Sequence, residues 1–187
     1  MKHLGTQRLE TDRLILRRFT LKDIEPMYRN WASDDEVTKF LRWPTHSSVD
    51  VTTRLLSSWL DDYNRDDNYQ WAIVLKDNGD EPIGSISVVE FKDKLALAHI
   101  GYCIGRPWWH KGITSEALQA VIKFMFDEVG VNKVESMHDP NNPNSGKVMK
   151  KCGMTYEGTL RSTDCSNQGI CDASYYGILR NEWQERQ

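Results

Sequence analysis

The chain has 187 residues, of which 39% are hydrophobic and 27% charged, with a formal net charge of −3. These values describe a soluble globular chain long enough for one substantial core, and the acidic balance argues against nucleic acid as a direct partner, since such domains are usually basic. No apolar run approaches the roughly 20 residues that a membrane-spanning helix needs, and the N-terminal stretch has no signal-peptide core; a single domain over residues 1–187, in the cytoplasm and away from membranes, is the expectation.

In chain order, residues 8–19 alternate apolar and polar side chains and predict a first strand. Thr20 caps a helix over 21–31, with Asp23 in its first turn. A short helix starts near Ser33 and ends before Pro44, because a residue ahead of proline avoids the helical region. Ser47 and Ser48 open a long helix reaching Arg65, with Val51, Leu55, Leu56, Trp59, Leu60 and Tyr63 on one face. Strands over 69–76 and 82–91 flank Asp77-Asn78-Gly79-Asp80, a run with strong hairpin chemistry, and a third strand covers 95–104. A helix from about Thr114 carries Leu118, Val121, Ile122, Met125, Phe126 and Val129 at helical spacing and stops at Gly130. A strand over 133–137, a helix over 145–152 closed by Gly153, and strands over 155–162 and 172–179 complete the chain. This order predicts an α/β (α+β) class: a mixed, twisted central sheet of about seven strands with helices on both faces.

Cys103, Cys152, Cys165 and Cys171 form no Cys-x-x-Cys pair and have no His spacing beside them, so no metal is expected and four free thiols are the default in a reducing compartment. Cys165 and Cys171 bracket a hairpin turn, which leaves pairing between them open. His3, His46, His110 and His138 are expected on the surface.

The stretch over 100–118 organises the rest. Residues 106–113 join a strand end to a helix start, where backbone N–H groups lack intrahelical partners and roughly half a positive charge accumulates. Such a turn is a natural seat for phosphate: Gly112 lets backbone approach an anion and Lys111 adds a charge. Taken alone, it is equally an ordinary strand–loop–helix joint, and it has neither P-loop nor Gly-x-Gly-x-x-Gly spacing.

Trp109-His110-Lys111-Gly112-Ile113-Thr114-Ser115-Glu116-Ala117, after a strand carrying Gly101-Tyr102, resembles the acetyl-coenzyme A loop of the GNAT N-acetyltransferases, and within them the ribosomal-protein N-terminal acetyltransferases of the RimJ/RimL type. The general motif there reads Gln/Arg-x-x-Gly-x-Gly/Ala. Only Gly112 matches strictly; Trp109 and Thr114 depart, which leaves the phosphate contacts to backbone amides. The resemblance covers nearly the whole chain, most strongly residues 69–161. It implies acetyl-CoA contacts from Tyr102, Cys103, Ile104, Trp109, His110, Lys111, Gly112, Ile113 and Thr114, with the pantetheine arm lying where two parallel strands part. A second signature, Asn142-Pro143-Asn144-Ser145 followed by Gly153-Met154, implies that the Asn142 side chain bonds the pantetheine amide and that the Ser145 hydroxyl lies by the thioester sulfur. Without the resemblance this run is a turn and a helix cap.

Acyl transfer to an amine needs a proton acceptor, stabilisation of the carbonyl oxygen, and a fate for the thiolate. An N–H near Tyr102 or Cys103 answers the second need if that strand is unpaired. For the proton acceptor, relatives often place glutamate where His99 and Asp164 stand; Glu90 and a water chain stay open beside them. Trp43, Tyr69 and Trp71, with the charged segment 61–67, fall where the family builds its acceptor site, and an aromatic wall beside acids suits a cationic amine. The implied activity is transfer of an acetyl group from acetyl-CoA to a primary amine, first the N-terminal α-amine of a ribosomal protein. A small-molecule amine and a non-catalytic acyl-CoA sensor are the alternatives, and a homodimer through the terminal strands is compatible with the fold.

Overall fold

The computed structural model describes residues 1–186, and its sheet begins with a departure from the sequence reading. The strand expected over residues 8–19 is two, β1 (Leu9–Glu10) and β2 (Leu14–Arg17), paired antiparallel. Thr11 makes the turn: its N–H donates to the Leu14 carbonyl at 3.0 Å and its hydroxyl accepts from the Leu14 N–H at 2.9 Å. A side chain bonding local backbone in this way competes with a straight ladder. The sheet therefore holds eight strands rather than seven, in the order β1-β2-β3-β4-β5-β6-β8-β7.

The remaining strands are β3 (Gln70–Leu75), β4 (Pro82–Lys92), β5 (Leu97–Ile104), β6 (Lys133–His138), β7 (Thr155–Ser166) and β8 (Gly169–Leu179). The helices are α1 (Ile24–Met27), α2 (Asp35–Thr38), α3 (Val49–Asp62), α4 (Ile113–Phe124), α5 (Pro143–Lys151) and α6 (Arg180–Gln184). Only α6 was not expected. Five of the seven strand junctions follow from antiparallel neighbours in sequence or from the β7–β8 hairpin; β5 and β6 are parallel, so α4 must cross over between them.

Helices cover both faces. Trp71, Ile73, Ile86, Ile100, Leu118 and Val121 share one core beneath α4, while Met27, Trp31, Leu56, Ala72 and Val74 form a second beneath α1 to α3. Successive β3 residues enter opposite cores, which is why that strand reads as an unbroken apolar run. His46, expected on the surface, is buried with Nδ1 2.7 Å from the Thr52 hydroxyl, and burial lowers its pKa. All four cysteines are free thiols. Cys165 faces Ile170 across the β7–β8 hairpin while Cys171 faces Asp164, so the alternation of strand side chains sends the two sulfurs to opposite faces. Among the described residues, no helix is long and apolar enough to cross a membrane, and no group of His, Cys, Asp and Glu is arranged to hold a metal ion.

Candidate active site

Pairing between β5 and β6 stops early. Leu97, Ala98 and His99 pair with Lys133, Val134 and Glu135, and from Ile100 onward β5 has no partner on that edge, although β6 continues to His138 against β8. The two strands part in a V. The Ser136 hydroxyl closes its root, donating to the Ile100 carbonyl at 2.7 Å, and the Trp109 indole N–H takes the Ile104 carbonyl at 2.8 Å. Gly101 and Cys103 sit opposite Ser87 and Ser85 of β4. Backbone groups alternate along a strand, so the Tyr102 N–H points into the gap with no sheet partner, a donor that a buried strand does not leave idle without a ligand or water to receive it.

The V opens into a cleft of about 330 Å³. It brings together Tyr102, Cys103 and Ile104 from β5, Trp109, His110, Gly112, Ile113 and Thr114 from the loop and the start of α4, and Asn142 and Ser145 from α5. Two sequence signatures about 30 residues apart thus meet around one space. Lys111 is the exception among the loop residues: it is exposed and off the cleft wall, and its carbonyl is held by the Arg13 guanidinium at 3.1 Å.

The loop is shaped for an anion. Gly112 has φ of +73°, a left-handed conformation costly for any side chain, and precedes the unpaired first-turn amides of α4. A Cβ there would lie 3.4 Å from the Lys151 ammonium and 3.7 Å from the Arg13 guanidinium, so two cations flank the space above this backbone. Arg13 is steered by Glu116 of α4, which takes its guanidinium at 2.7 Å, its N–H at 3.0 Å and the Thr11 hydroxyl at 2.5 Å. Burial raises the Glu116 pKa, and the bonds from Thr11 and Arg13 outweigh it and bring the carboxyl below its ordinary value.

Asn142 occupies the cap position of α5, but its side chain makes no capping bond. Its amide is left for the cleft. The Tyr102 hydroxyl lies 3.0 Å from both the carbonyl and the hydroxyl of Ser145. The phenol has one proton for these two acceptors: turned to the carbonyl it accepts from the Ser145 hydroxyl, and turned to the hydroxyl it leaves the Ser145 proton free to point into the cleft. Burial raises the Tyr102 pKa, so the phenol stays protonated. Burial likewise raises that of the Cys103 thiol, which is 3.3 Å from the Ser85 hydroxyl and is held as a neutral thiol.

The candidate bases are not on the cleft wall. His99 is buried at the root of the V with Nδ1 3.2 Å from Glu135. The hydrogen bond from His99 lowers the Glu135 pKa, burial opposing it, with Lys133 and Lys92 adding to the effect. Asp164 is held by Arg42 at 2.8 Å. Glu90 is exposed on β4 opposite His99.

The expected acceptor wall needs correction. Tyr69 and Trp71 are 1% and 0% exposed, and Trp71 meets Phe124 edge-on in the core beneath α4. Their polar atoms tie down the N-terminal segment, the Tyr69 hydroxyl accepting from Leu4 N–H and the Trp71 indole donating to Gln7. Neither can touch an acceptor. Trp43 is half-buried against His46, off the cleft wall. The acids over 61–67 are turned to Arg65 or to solvent at the far end of α3. The wall facing the cofactor side is instead Val37, Phe40 and Leu41, from the end of α2 and the loop beyond it. No local motif marks them. Lys147 and Lys151, also on the cleft, were legible as an i,i+4 pair on one face of α5.

Residues 13–155 match the Acetyltransferase (GNAT) domain, well over half of the chain. The protein belongs to the GNAT acetyltransferase family. It is 30% identical over 172 residues to the uncharacterized N-acetyltransferase YoaA of Bacillus subtilis (strain 168), covering 92% of this chain and 96% of that protein. It is 29% identical over 175 residues to the uncharacterized N-acetyltransferase p20 of Bacillus licheniformis, covering 94% and 97%. The structure of RimL, a ribosomal L7/L12 alpha-N-protein acetyltransferase in complex with coenzyme A, aligns over 94% of this chain and 99% of that one with a TM-score of 0.83; at 18% identity this is a likeness of fold. The chain is an acetyl-CoA-dependent acetyltransferase, and the parted strands, the bare Gly112 backbone and its flanking cations fit that cosubstrate.

Proposed function

We propose that this GNAT acetyltransferase acts on the N-terminal α-amine of a protein, a ribosomal protein first, in the cytoplasm. Acetyl-CoA, when bound, supplies the acetyl thioester. On this reading the Gly112 loop, Lys151 and the first amides of α4 hold its phosphates, and the Asn142 amide orients its arm. The Tyr102 N–H donates to the oxygen that gains charge. The Ser145 hydroxyl, backed by the Tyr102 phenol, delivers a proton to the departing sulfur.

The observation that carries the choice of acceptor is the charge of the cleft. Its wall holds lysines and aromatic and aliphatic side chains but, among the described residues, no carboxylate. A polyamine or an aminoglycoside, with several positive charges, would meet no compensating acid there. An α-amine has a pKa near 7.7 to 8.0 and enters with one charge or none. The RimL fold and the RimJ/RimL-like loop support the same class.

For the proton acceptor, His99 is the better supported of the candidates. An ionised Glu135 beside Nδ1 makes that nitrogen the donor, which leaves the lone pair on Nε2, and no Nε2 hydrogen bond exists among the described residues. Asp164, by contrast, is already engaged by Arg42.

The test is acetylation with labelled acetyl-CoA of three probes: alanyl and seryl hexapeptides with free N-termini, the same peptides with blocked N-termini and an internal lysine, and spermidine. Label confined to the free N-termini is the expected result. A higher kcat/KM for spermidine than for any peptide would overturn it.

A further inference from the structure

The β7–β8 hairpin overhangs the sheet. Its pairing with β6 ends at His138 opposite Ser174, so the outer part, from Ala173 to the turn, has no strand beneath it on that side. The turn is two residues, Asn167 and Gln168, between the paired Ser166 and Gly169. Instead of standing in solvent, it reaches the loop that follows α2. The Asn167 side-chain amide donates to the Thr38 carbonyl at 2.9 Å and the Trp43 carbonyl at 2.8 Å, and its backbone N–H donates to the Leu41 carbonyl at 3.1 Å. Every N–H of this one residue is spent on carbonyls of one short, irregular segment. Between the Thr38 and Trp43 carbonyls stand Phe40 and Leu41, both on the cleft wall.

We propose that Asn167 is a positioning residue for the amine acceptor, a latch that fixes the Phe40–Leu41 lip across which the acceptor reaches the thioester. The inference rests on the acceptor entering past that lip, as the proposed function requires. A segment of this kind has few backbone partners of its own, here one Leu41 N–H to Thr38 carbonyl bond at 2.8 Å, and would otherwise sample many conformations. Two amide protons on one short side chain suit two carbonyls at once. Aspartate has the same shape but offers only acceptors, so it would set a negative charge against two carbonyl oxygens. The cofactor loop and α5 make no bond to Asn167, so their hold on coenzyme A is independent of it.

The chemistry gives an unusual order of severity: the isosteric Asn167→Asp is worse than the truncation Asn167→Ala. The experiment measures three things on the full chain: amide exchange by mass spectrometry over residues 38–44, Kd for coenzyme A by calorimetry, and KM and kcat for an alanyl hexapeptide. Expected are roughly tenfold faster exchange and roughly tenfold higher peptide KM for Asn167→Ala, larger changes for Asn167→Asp, and coenzyme A affinity within about twofold of wild type. Gln168→Ala, beside it in the turn, should match wild type throughout. Unchanged exchange, equal loss of peptide KM and coenzyme A affinity, or an Asn167→Asp variant milder than Asn167→Ala would each overturn the latch. If the wild type turns over no peptide, the acceptor reading fails, while the exchange of residues 38–44 still decides whether Asn167 fixes the lip.

Discussion

On one side of the cleft, Gly112, Thr114, Asn142 and Ser145 come from two short runs, each at the start of a helix. On the other, Val37, Phe40 and Leu41 come from the end of α2 and the loop beyond it, which a hairpin turn more than 120 residues away in sequence holds in place. The first wall works through backbone amides, left-handed glycine and helix starts, which are local properties. The second works through side-chain surface held by tertiary bonds. A wall of the first kind can keep one ligand while the rest of the molecule diverges, and a wall of the second kind can be reshaped without disturbing it. That is a sound division for an enzyme whose cosubstrate is fixed and whose amine is chosen.

The sharpest way to break this contrast is at Gly112. Valine there would have to hold φ near +73° and place its Cβ 3.4 Å from Lys151 Nζ. Strain of about 1–3 kcal/mol, added to the lost approach of an anion to the amides, should weaken coenzyme A binding roughly 100-fold or more by calorimetry. Lys111→Ala removes an exposed charge and should cost less than about fivefold, more at low salt than at high. Comparable losses in the two variants would mean that side chains, not backbone, hold the phosphates.

The same division explains what was legible in the sequence. Residues 109–114, Lys111 apart, and Asn142 and Ser145 line one cleft, and the sequence pointed to them because a glycine, a helix start and a small polar residue shape the backbone where they stand. The parting of β5 from β6 was expected only through the family resemblance, since Ile100 to Ile104 reads as any buried strand. Tyr69 and Trp71 misled because aromatic residues on a strand point alternately, and no local pattern says which core they enter. Phe40 and Leu41 were invisible for a different reason. Their role depends on Asn167, and nothing near residue 40 records it.

Ser145 and Tyr102 sharpen the catalytic half. If their hydroxyl pair protonates the leaving sulfur, Ser145→Ala should lower kcat by about 10- to 100-fold, the lower end of general-acid effects, because a thiolate leaves fairly well unaided. Coenzyme A affinity should stay within a few-fold. Tyr102→Phe leaves the Ser145 hydroxyl without its 3.0 Å partner and should show a smaller loss of the same kind. Single-turnover rates check both, and an unchanged chemical step in Ser145→Ala would leave the serine a structural role.

His99 and Glu135 offer a pH-dependent test. With His99→Gln, kcat/KM should fall by up to about tenfold on the acidic limb and little on the alkaline limb, where more of the α-amine is already neutral. Stability supplies an independent reading. The Glu135 carboxyl lies below its ordinary pKa chiefly through the bond from His99. A lowered folded-state pKa stabilises the protein above the unfolded-state value, and that contribution is lost as pH falls through the folded one. Glu135→Gln should therefore cost about 1–2 kcal/mol at neutral pH in urea denaturation, with the deficit narrowing through the acid range. A deficit that stays constant with pH would assign the loss to packing instead of charge.

The smallest effect is expected at Asp164, where family resemblance invited the largest. Its carboxylate makes an ion pair with Arg42 at 2.8 Å, and the Arg42 side chain is 57% exposed. Pairs of that exposure contribute about 0–1 kcal/mol, because water already solvates the guanidinium and salt screens the remainder. Asp164→Asn keeps the shape and one acceptor oxygen for Arg42, so its effect on stability should fall at the lower end of that range. The Asn167 amide still bonds Thr38 and Trp43, so the lip keeps its place and peptide KM should move less than about twofold. A pH profile of kcat/KM with wild-type shape is the expected result. Loss of the acidic limb in Asp164→Asn, with His99→Gln normal, would reverse the assignment and make the hairpin a source of the proton acceptor as well as of the latch.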